Sequence, residues 1–320
     1  MHDLIKDVFL KHLKNPYLNK MTDAAVIKSG NKRIAFTTDS FVVKPIFFPG
    51  GDIGKLAICG TVNDLVMMGA RPLFIACAMI IEEGFSLKIL DKITESLAAE
   101  AKNSSVSIIT GDVKVVEKGS ADGIFINTTG IGEVAGGIDI TIENIMPADK
   151  IIINGPIGQH GIAVLAARKQ LDFDFSVKSD CAALNNLISP LLKKGGAIKF
   201  MRDPTRGGLA TTLNEIAQTR NCGIMIEEKD VPLTSQVKSA SEILGLDPLY
   251  LANEGKVVLI VKKDRAAEIL NQLKKHPLGK SSRIIGQIEK SPRGKVYLKT
   301  ISGGKRLVDM LTSDALPRIC

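Results

Sequence analysis

Short β-branched runs alternate with amphipathic stretches along the whole chain. Ile34-Ala35-Phe36-Thr37-Thr38 has the pattern of a strand, Lys55 to Met68 that of a helix, Leu73 to Ile81 a strand, and Leu87 to Ala101 a helix. Strands at Val106–Ile109 and Gly123–Thr128 follow. Interleaving of this kind predicts an α/β or α+β protein rather than a sandwich or a helical bundle. Pro147-Ala148-Asp149-Lys150, before the new apolar run Ile151-Ile152-Ile153, marks a seam. Beyond it, helices are predicted from about Gly161 to Lys169, Asp180 to Lys193, Gly207 to Thr219 and Arg265 to Lys275. From Leu311 onward neither period persists and Pro317 intervenes, which reads as a flexible tail. The expected division is therefore 1–147, 148–310 and a tail of 311–320.

Composition narrows the class. The chain has 320 residues, 45% hydrophobic and 24% charged, which excludes a disordered chain, a collagen and a membrane bundle. Its apolar content is aliphatic, with no Trp and 4% aromatic residues, so few rings are available to stack bases. The net charge of +8 would suit a polyanion if it were gathered on one face. It is not: the densest runs, Lys262-Lys263-Asp264-Arg265 and Lys274-Lys275-His276, fall at predicted helix ends, so nucleic acid is not the expected partner. The start, Met1-His2-Asp3-Leu4-Ile5-Lys6-Asp7, is charged and no run of about 18 apolar residues occurs, so a cytoplasmic, membrane-free protein is expected. Five cysteines form no C-x-x-C pair. Four of them sit in apolar surroundings suited to a core, whereas Cys320 is the last residue.

The candidate chemistry lies in carboxylates and glycine turns. Phe48-Pro49-Gly50-Gly51-Asp52-Ile53-Gly54-Lys55 precedes a helix and can aim backbone N–H groups at phosphate, although Pro49 and Leu56 exclude a Walker A loop. Gly130-Ile131-Gly132-Glu133-Val134-Ala135 fits a dinucleotide pattern, but the following Gly136-Gly137 cannot comfortably open a helix. Gly155-Pro156-Ile157-Gly158-Gln159-His160-Gly161 has the better context, either as a phosphate turn or as tight packing.

Asp23, Asp39, Asp64 and Asp112 each fall where a strand ends or a helix turns. Caps and turns account for many such aspartates. They do not account for Asp64, whose neighbours at helical spacing are apolar or small, so that a dry, unpaired carboxylate would be costly. Magnesium on a nucleotide or a lysine partner would offset that cost. Arg202-Asp203-Pro204-Thr205-Arg206-Gly207-Gly208 crowds a carboxylate, a hydroxyl and two cations at a helix start, which suits either triphosphate with metal or a salt-bridged cap. Lys114 and Glu254, beside apolar strands, are acid–base candidates. The ending Pro317-Arg318-Ile319-Cys320 offers a thiol on an arm that could visit two sites.

Thr37-Thr38-Asp39-Ser40-Phe41, Phe47-Phe48-Pro49-Gly50-Gly51, Val62-Asn63-Asp64, Thr110-Gly111-Asp112-Val113-Lys114, Arg202 to Gly208, Ala252-Asn253-Glu254-Gly255-Lys256 and the Pro-Arg-Ile-Cys ending together resemble the HypE family of hydrogenase-maturation carbamoyl dehydratases. These belong to the aminoimidazole-ribonucleotide-synthetase-like superfamily. The resemblance implies two α/β domains, a homodimer, an ATP groove between the domains, and Mg²⁺. It further implies that a carbamoyl group carried by Cys320 is dehydrated with ATP to a thiocyanate, the source of the cyanide ligand of nickel–iron hydrogenase. The implied partners are the carbamoyltransferase HypF and a HypC–HypD iron assembly complex. Carried over by motif, Asp39, Asp64, Asp203 and Asp23 are metal ligands. Gly51, Lys55, Asp112 and Thr205 join Asp39, Asp64 and Asp203 around the nucleotide, and Cys320, Glu254 and Lys114 carry the chemistry. Two other readings remain at this stage: a small-molecule kinase or synthetase of the same superfamily, and a nucleotide-binding scaffold without catalysis.

Overall fold

A computed structural model describes residues 8–168, 176–193, 195–311 and 318–320. The charged start Met1–Asp7 and Pro317 lie outside the described residues.

The first half is a five-stranded mixed sheet backed by two helices. Its strands are β1 (Ala25–Ser29), β2 (Lys32–Phe41), β5 (Ala70–Glu82), β6 (Ser107–Val116) and β7 (Ile124–Val134), in the order β1-β2-β7-β5-β6. A small hairpin of β3 (Phe47–Phe48) and β4 (Gly51–Asp52) leads into helix α1 (Ile53–Met67), and α2 (Leu87–Asn103) crosses between β5 and β6. Strand alternation decides which face is covered. On β2, Ala35, Thr37 and Phe41 point inward and are buried, while Phe36, Thr38 and Ser40 are exposed. Helix α1 is apolar nearly all round, and thirteen of its residues are buried because the sheet, α2 and the second half enclose it from every side. The β6 strand runs farther than the pattern predicted and takes in Gly111 to Val116, so Asp112 lies inside a strand rather than after one.

The second half carries a seven-stranded sheet, β14-β13-β10-β12-β8-β11-β9. Its strands are β8 (Lys150–Ile153), β9 (Ile198–Arg202), β10 (Gly223–Glu227), β11 (Val258–Val261), β12 (Arg283–Glu289), β13 (Lys295–Lys299) and β14 (Lys305–Val308). Around it lie α3 (Gln159–Ala167), α4 (Asn185–Leu192), α5 (Gly208–Arg220), α6 (Ser235–Leu244) and α7 (Ala266–Leu273). The central strands β8 and β11 read Lys-Ile-Ile-Ile and Val-Leu-Ile-Val because both of their faces are covered. One apolar core runs from Ile53, Leu56 and Val62 of α1 through Leu184, Leu187 and Ile188 to Leu259 of β11, so the halves share packing.

The helix predicted from Asp180 begins only at Asn185. The cause is visible in the hydrogen bonds: Leu184 N–H donates to Asn63 Oδ1 (2.9 Å), and Ala182 N–H donates to the carbonyl of Glu254 (3.3 Å). Those amides are committed to tertiary partners, and the segment stays outside the helix.

Candidate active site

Four elements converge where the halves meet. Strand β2 brings Thr37 and Asp39, α1 brings Asp64, the turn after β9 brings Asp203 and Arg206, and the segment before β11 brings Glu254. Asp23 stands just ahead of β1. The turns are set by close approach. Gly208 has φ +60°, and a Cβ there would stand 2.5 Å from the carbonyl oxygen of Leu251. At Gly255 a Cβ would meet the carbonyl oxygen of Asp180 at 2.0 Å, so only glycine lets these two segments touch. Asn253 ties its segment to two further turns, donating to Pro204 O (2.9 Å) and accepting from Gly158 N–H (2.7 Å).

The carboxylates form one electrostatic group. Asp64 accepts from Thr37 Oγ1 at 2.8 Å, and the Asp39 carboxyl lies close enough for the two charges to act on each other. Burial, then the charges of Asp39, Asp203 and Asp23, push the Asp64 carboxyl well above the usual carboxylate range. Burial also raises Asp39, and it raises Asp23 even though Arg202 lies 3.3 Å away. Asp203 is pushed up to about 8 by burial and the charge of Asp23. Arg202 is shared with Glu215 of α5 (3.1 Å), so the cluster is short of positive charge.

Glu254 is buried, its Oε1 has no hydrogen-bond partner among the described residues, and burial followed by the charges of Cys181 and Asp203 raises its proton affinity well above the ordinary range. Beside it the chain end is docked. Val42 N–H donates to the carbonyl of Cys320 (3.2 Å) and Lys44 N–H to that of Arg318 (3.2 Å), a short strand-like pairing. Ile319 is buried in the core, and the Cys320 thiol hydrogen-bonds Arg206. Burial and the neighbouring Glu254 push that thiol up to about 12, so it is neutral when docked. A cavity of about 230 Å³ flanks the tip, lined by Arg206, Tyr250, Leu251, Leu311 and Ile319 among others.

Asp23, Asp39, Asp64, Asp203, Glu254 and Cys320 are thus brought into one group. Thr205 lies in the same turn as Asp203, half-buried. Asp112 and Lys114 are elsewhere, ion-paired with each other (2.8 Å) on the exposed strand β6. The Gly50–Lys55 loop is not an open phosphate cradle: Asp52 accepts from Gly54 N–H (2.7 Å) and Lys55 N–H (3.1 Å), and Lys55 Nζ donates to Gly50 O (3.2 Å). Gly51 lies within it, in β4. The turn at Gly155–Gly161 likewise spends its amides on protein, since Ile157 N–H donates to Pro232 O (3.1 Å) and Gly161 N–H to Ala252 O (3.1 Å). Sequence reasoning missed Asp180, Ser179 and the part played by His160. Nothing local marks Asp180, whose partner Lys256 is distant in sequence at 2.8 Å in space. The other four cysteines are buried, as their apolar contexts predict. No helix among the described residues is long and apolar enough to cross a membrane.

The carboxylate oxygens of Asp23, Asp39, Asp64 and Asp203 are hard donors that raise one another's proton affinity, which fits a divalent cation. Among the described residues, though, no three acidic, His or Cys side chains form a ready-made ion site. One or two carboxylates with phosphate oxygens completing the shell is the arrangement magnesium on a nucleotide adopts.

Family models divide the chain in the same way as its two sheets. Residues 21–134 match the N-terminal domain of AIR synthase related proteins, and residues 147–299 match their C-terminal domain. The chain belongs to the AIR synthase related family, and within it to the HypE carbamoyl dehydratases. The carbamoyl dehydratase HypE of Rhodobacter capsulatus is 46% identical over 323 residues, covering 100% of this chain and 95% of that relative. Among solved structures, one of a HypE–HypF complex matches with a TM-score of 0.92 at 51% identity, covering 96% of this chain and 99% of that one. A HypE structure in complex with ATP matches with a TM-score of 0.87 at 45% identity, over 100% of this chain and 96% of that one.

Proposed function

We propose that this chain is an ATP-dependent carbamoyl dehydratase of hydrogenase maturation, and that Cys320 carries the group it dehydrates. The observation that carries the reading is the docked thiol beside Glu254, whose Oε1 lacks a hydrogen-bond donor among the described residues. A carbamoyl group on the sulfur would bring an amide N–H toward that oxygen.

The thiol is neutral where it lies, so it is not acylated there. Loading takes place on an undocked tip, with HypF as the carbamoyl donor, and docking then delivers the thiocarbamate. Its carbonyl oxygen attacks the γ-phosphorus of ATP, ADP leaves, and an oxygen that was a poor leaving group becomes phosphate. The nitrogen gives up its two protons, one to Glu254 and one to the departing phosphate, the C–O bond breaks, and the carbon is left triply bonded to nitrogen as a thiocyanate. Glu254 takes a proton from the nitrogen in its ionised form: it releases its own proton to solvent while the arm is undocked, and burial then gives the carboxylate a raised proton affinity. Asp39 and Asp64, with Asp203 and Asp23 behind them, are the residues that would hold Mg²⁺ on the phosphates. When bound, the ion neutralises charge during transfer. The cyano group then passes to iron on a HypC–HypD complex. Free thiols throughout suit a reducing cytoplasm.

A homodimer completes the picture. Among the described residues strand β6 pairs only with β5 and leaves an open edge with Ile108, Ile109, Val113 and Val115 exposed, and Phe36, Phe74 and Ile80 continue the apolar outer face. A second copy pairing there would cover that face and carry its own Asp112 and Lys114 toward a nucleotide. Incubation of the chain with HypF, its carbamoyl source and ATP, followed by intact-mass measurement, tests the function. The expected record is a carbamoyl gain on Cys320 and then loss of water. A mass that never moves, or ATP turnover on a diffusible substrate that survives Cys320→Ala, would overturn it.

A further inference from the structure

His160 belongs to the glycine-flanked turn whose amides are engaged by protein acceptors, and it is fully buried. One face of its ring meets Phe48 edge-on, with centroids 5.3 Å apart. Both ring nitrogens are engaged: Nε2 lies 2.7 Å from the carbonyl oxygen of Ile319, and Nδ1 lies 2.8 Å from Ser179 Oγ.

The hydrogen positions follow from the partners. The Ile319 carbonyl only accepts, so Nε2 carries the proton and donates. Ser179 Oγ already accepts the N–H of Cys181 at 3.0 Å, so its own hydrogen is free to donate to Nδ1. Burial lowers the proton affinity of the ring, which keeps it neutral and in this tautomer. The acceptor it holds is the peptide oxygen immediately before Cys320. A second contact grips the preceding peptide, where Arg168 donates through Nη2 to the Arg318 carbonyl (3.0 Å).

The geometry points to His160 as a positioning residue for the carrier arm: its Nε2–H, oriented by Ser179, fixes the last peptide so that the Cys320 sulfur faces Glu254. This rests on the carrier reading above, but the clasp itself is a property of the unmodified chain. Its effect is on the docking equilibrium and on the geometry of the docked thiocarbamate, and His160 does not touch the reacting atoms.

Alkylation of the full chain with iodoacetamide, read by peptide mass spectrometry at each cysteine, reports docking without any turnover. His160→Leu removes the donor and is expected to speed Cys320 alkylation about 5- to 50-fold, the range for losing one buried hydrogen bond. Cys77 and Cys222 should stay as protected as before. His160→Gln can place an amide N–H near the same carbonyl and should return Cys320 to within a few-fold of the parent rate. An unchanged Cys320 rate in His160→Leu, or a matching rise at Cys77 and Cys222, would overturn the clasp. Should His160→Leu fail to fold, Ser179→Ala decides: a selective rise at Cys320 supports the clasp, and no rise overturns it. With HypF and ATP, His160→Leu should gain the carbamoyl mass at the parent rate or faster and lose water more slowly, with His160→Gln restoring the second step. If the parent chain gains no carbamoyl mass at all, the carrier reading fails while the alkylation result still judges the clasp.

Discussion

Asp180 and Glu254 are two carboxylates buried side by side, yet the structure treats them in opposite ways. Burial works to raise Asp180, but Lys256 at 2.8 Å and the N–H groups of Glu254 and Gly255 outweigh it and hold the carboxyl below its ordinary value. Glu254 has the same burial and no such partners, so its proton affinity climbs and one oxygen is left bare. A buried acid with a full set of donors joins segments together, whereas one without them is free to handle a proton. The two roles lie within the touching segments that Gly255 permits, so the rigid pair holds the reactive one in place.

Substitution at each acid should break the comparison in a different observable. Glu254→Gln keeps the shape and removes the base. Loss of water from the carbamoylated chain should slow by about 10²-fold or more, while carbamoyl gain at Cys320 and the melting temperature stay near parental values. Equal dehydration rates by intact mass would take Glu254 out of the chemistry. Asp180→Asn should do the reverse, leaving the Lys256 ammonium buried and unpaired at a cost of about 3–5 kcal/mol. Denaturant unfolding measures that loss. A variant as stable as the parent would show that the Asp180–Lys256 pair does not hold the segments.

These two acids also show what a sequence can disclose. Asp64 was legible because a carboxylate on an otherwise apolar helix is anomalous wherever the helix packs, and Glu254 because its motif sits against a continuous apolar strand. Asp180 was not, since its character comes from Lys256, which only the fold brings near. The alternation of strands and helices was readable from local periodicity, whereas the segment before Asn185 was misread as helix because its amides answer to Asn63 and Glu254. The motifs around Asp112 and Lys114 were found, but their exposure on an open edge depends on strand order, which periodicity does not encode. The terminal thiol was evident as a chain end. Its docking against Val42 and Lys44 is a long-range pairing with no local signature.

Asp203 offers the subtlest test of the contrast between paired and unpaired acids. Its carboxyl holds a proton up to about 8 in the folded chain, whereas in the unfolded chain it releases that proton near 3.8. Between those values the folded state binds more protons, so this group's contribution is fully present below the lower value and is lost as pH rises through the upper one. Asp180 has the opposite sign: its contribution is present above the unfolded value and fades as pH falls through its lowered folded value. Nucleotide-free protein should therefore melt lower at pH 9 than at pH 6 in part because Asp203 is forced to ionise among Asp23 and Asp39. Asp203→Asn should flatten that slope and melt a few degrees above the parent at pH 9, with little difference at pH 5. Added Mg-ATP should reverse the order at pH 9, stabilising the parent more than the variant, because a cation relieves the repulsion that the substitution removes. Melting curves with the same slope in both proteins would mean that Asp203 ionises freely, and the cluster would then not be short of positive charge.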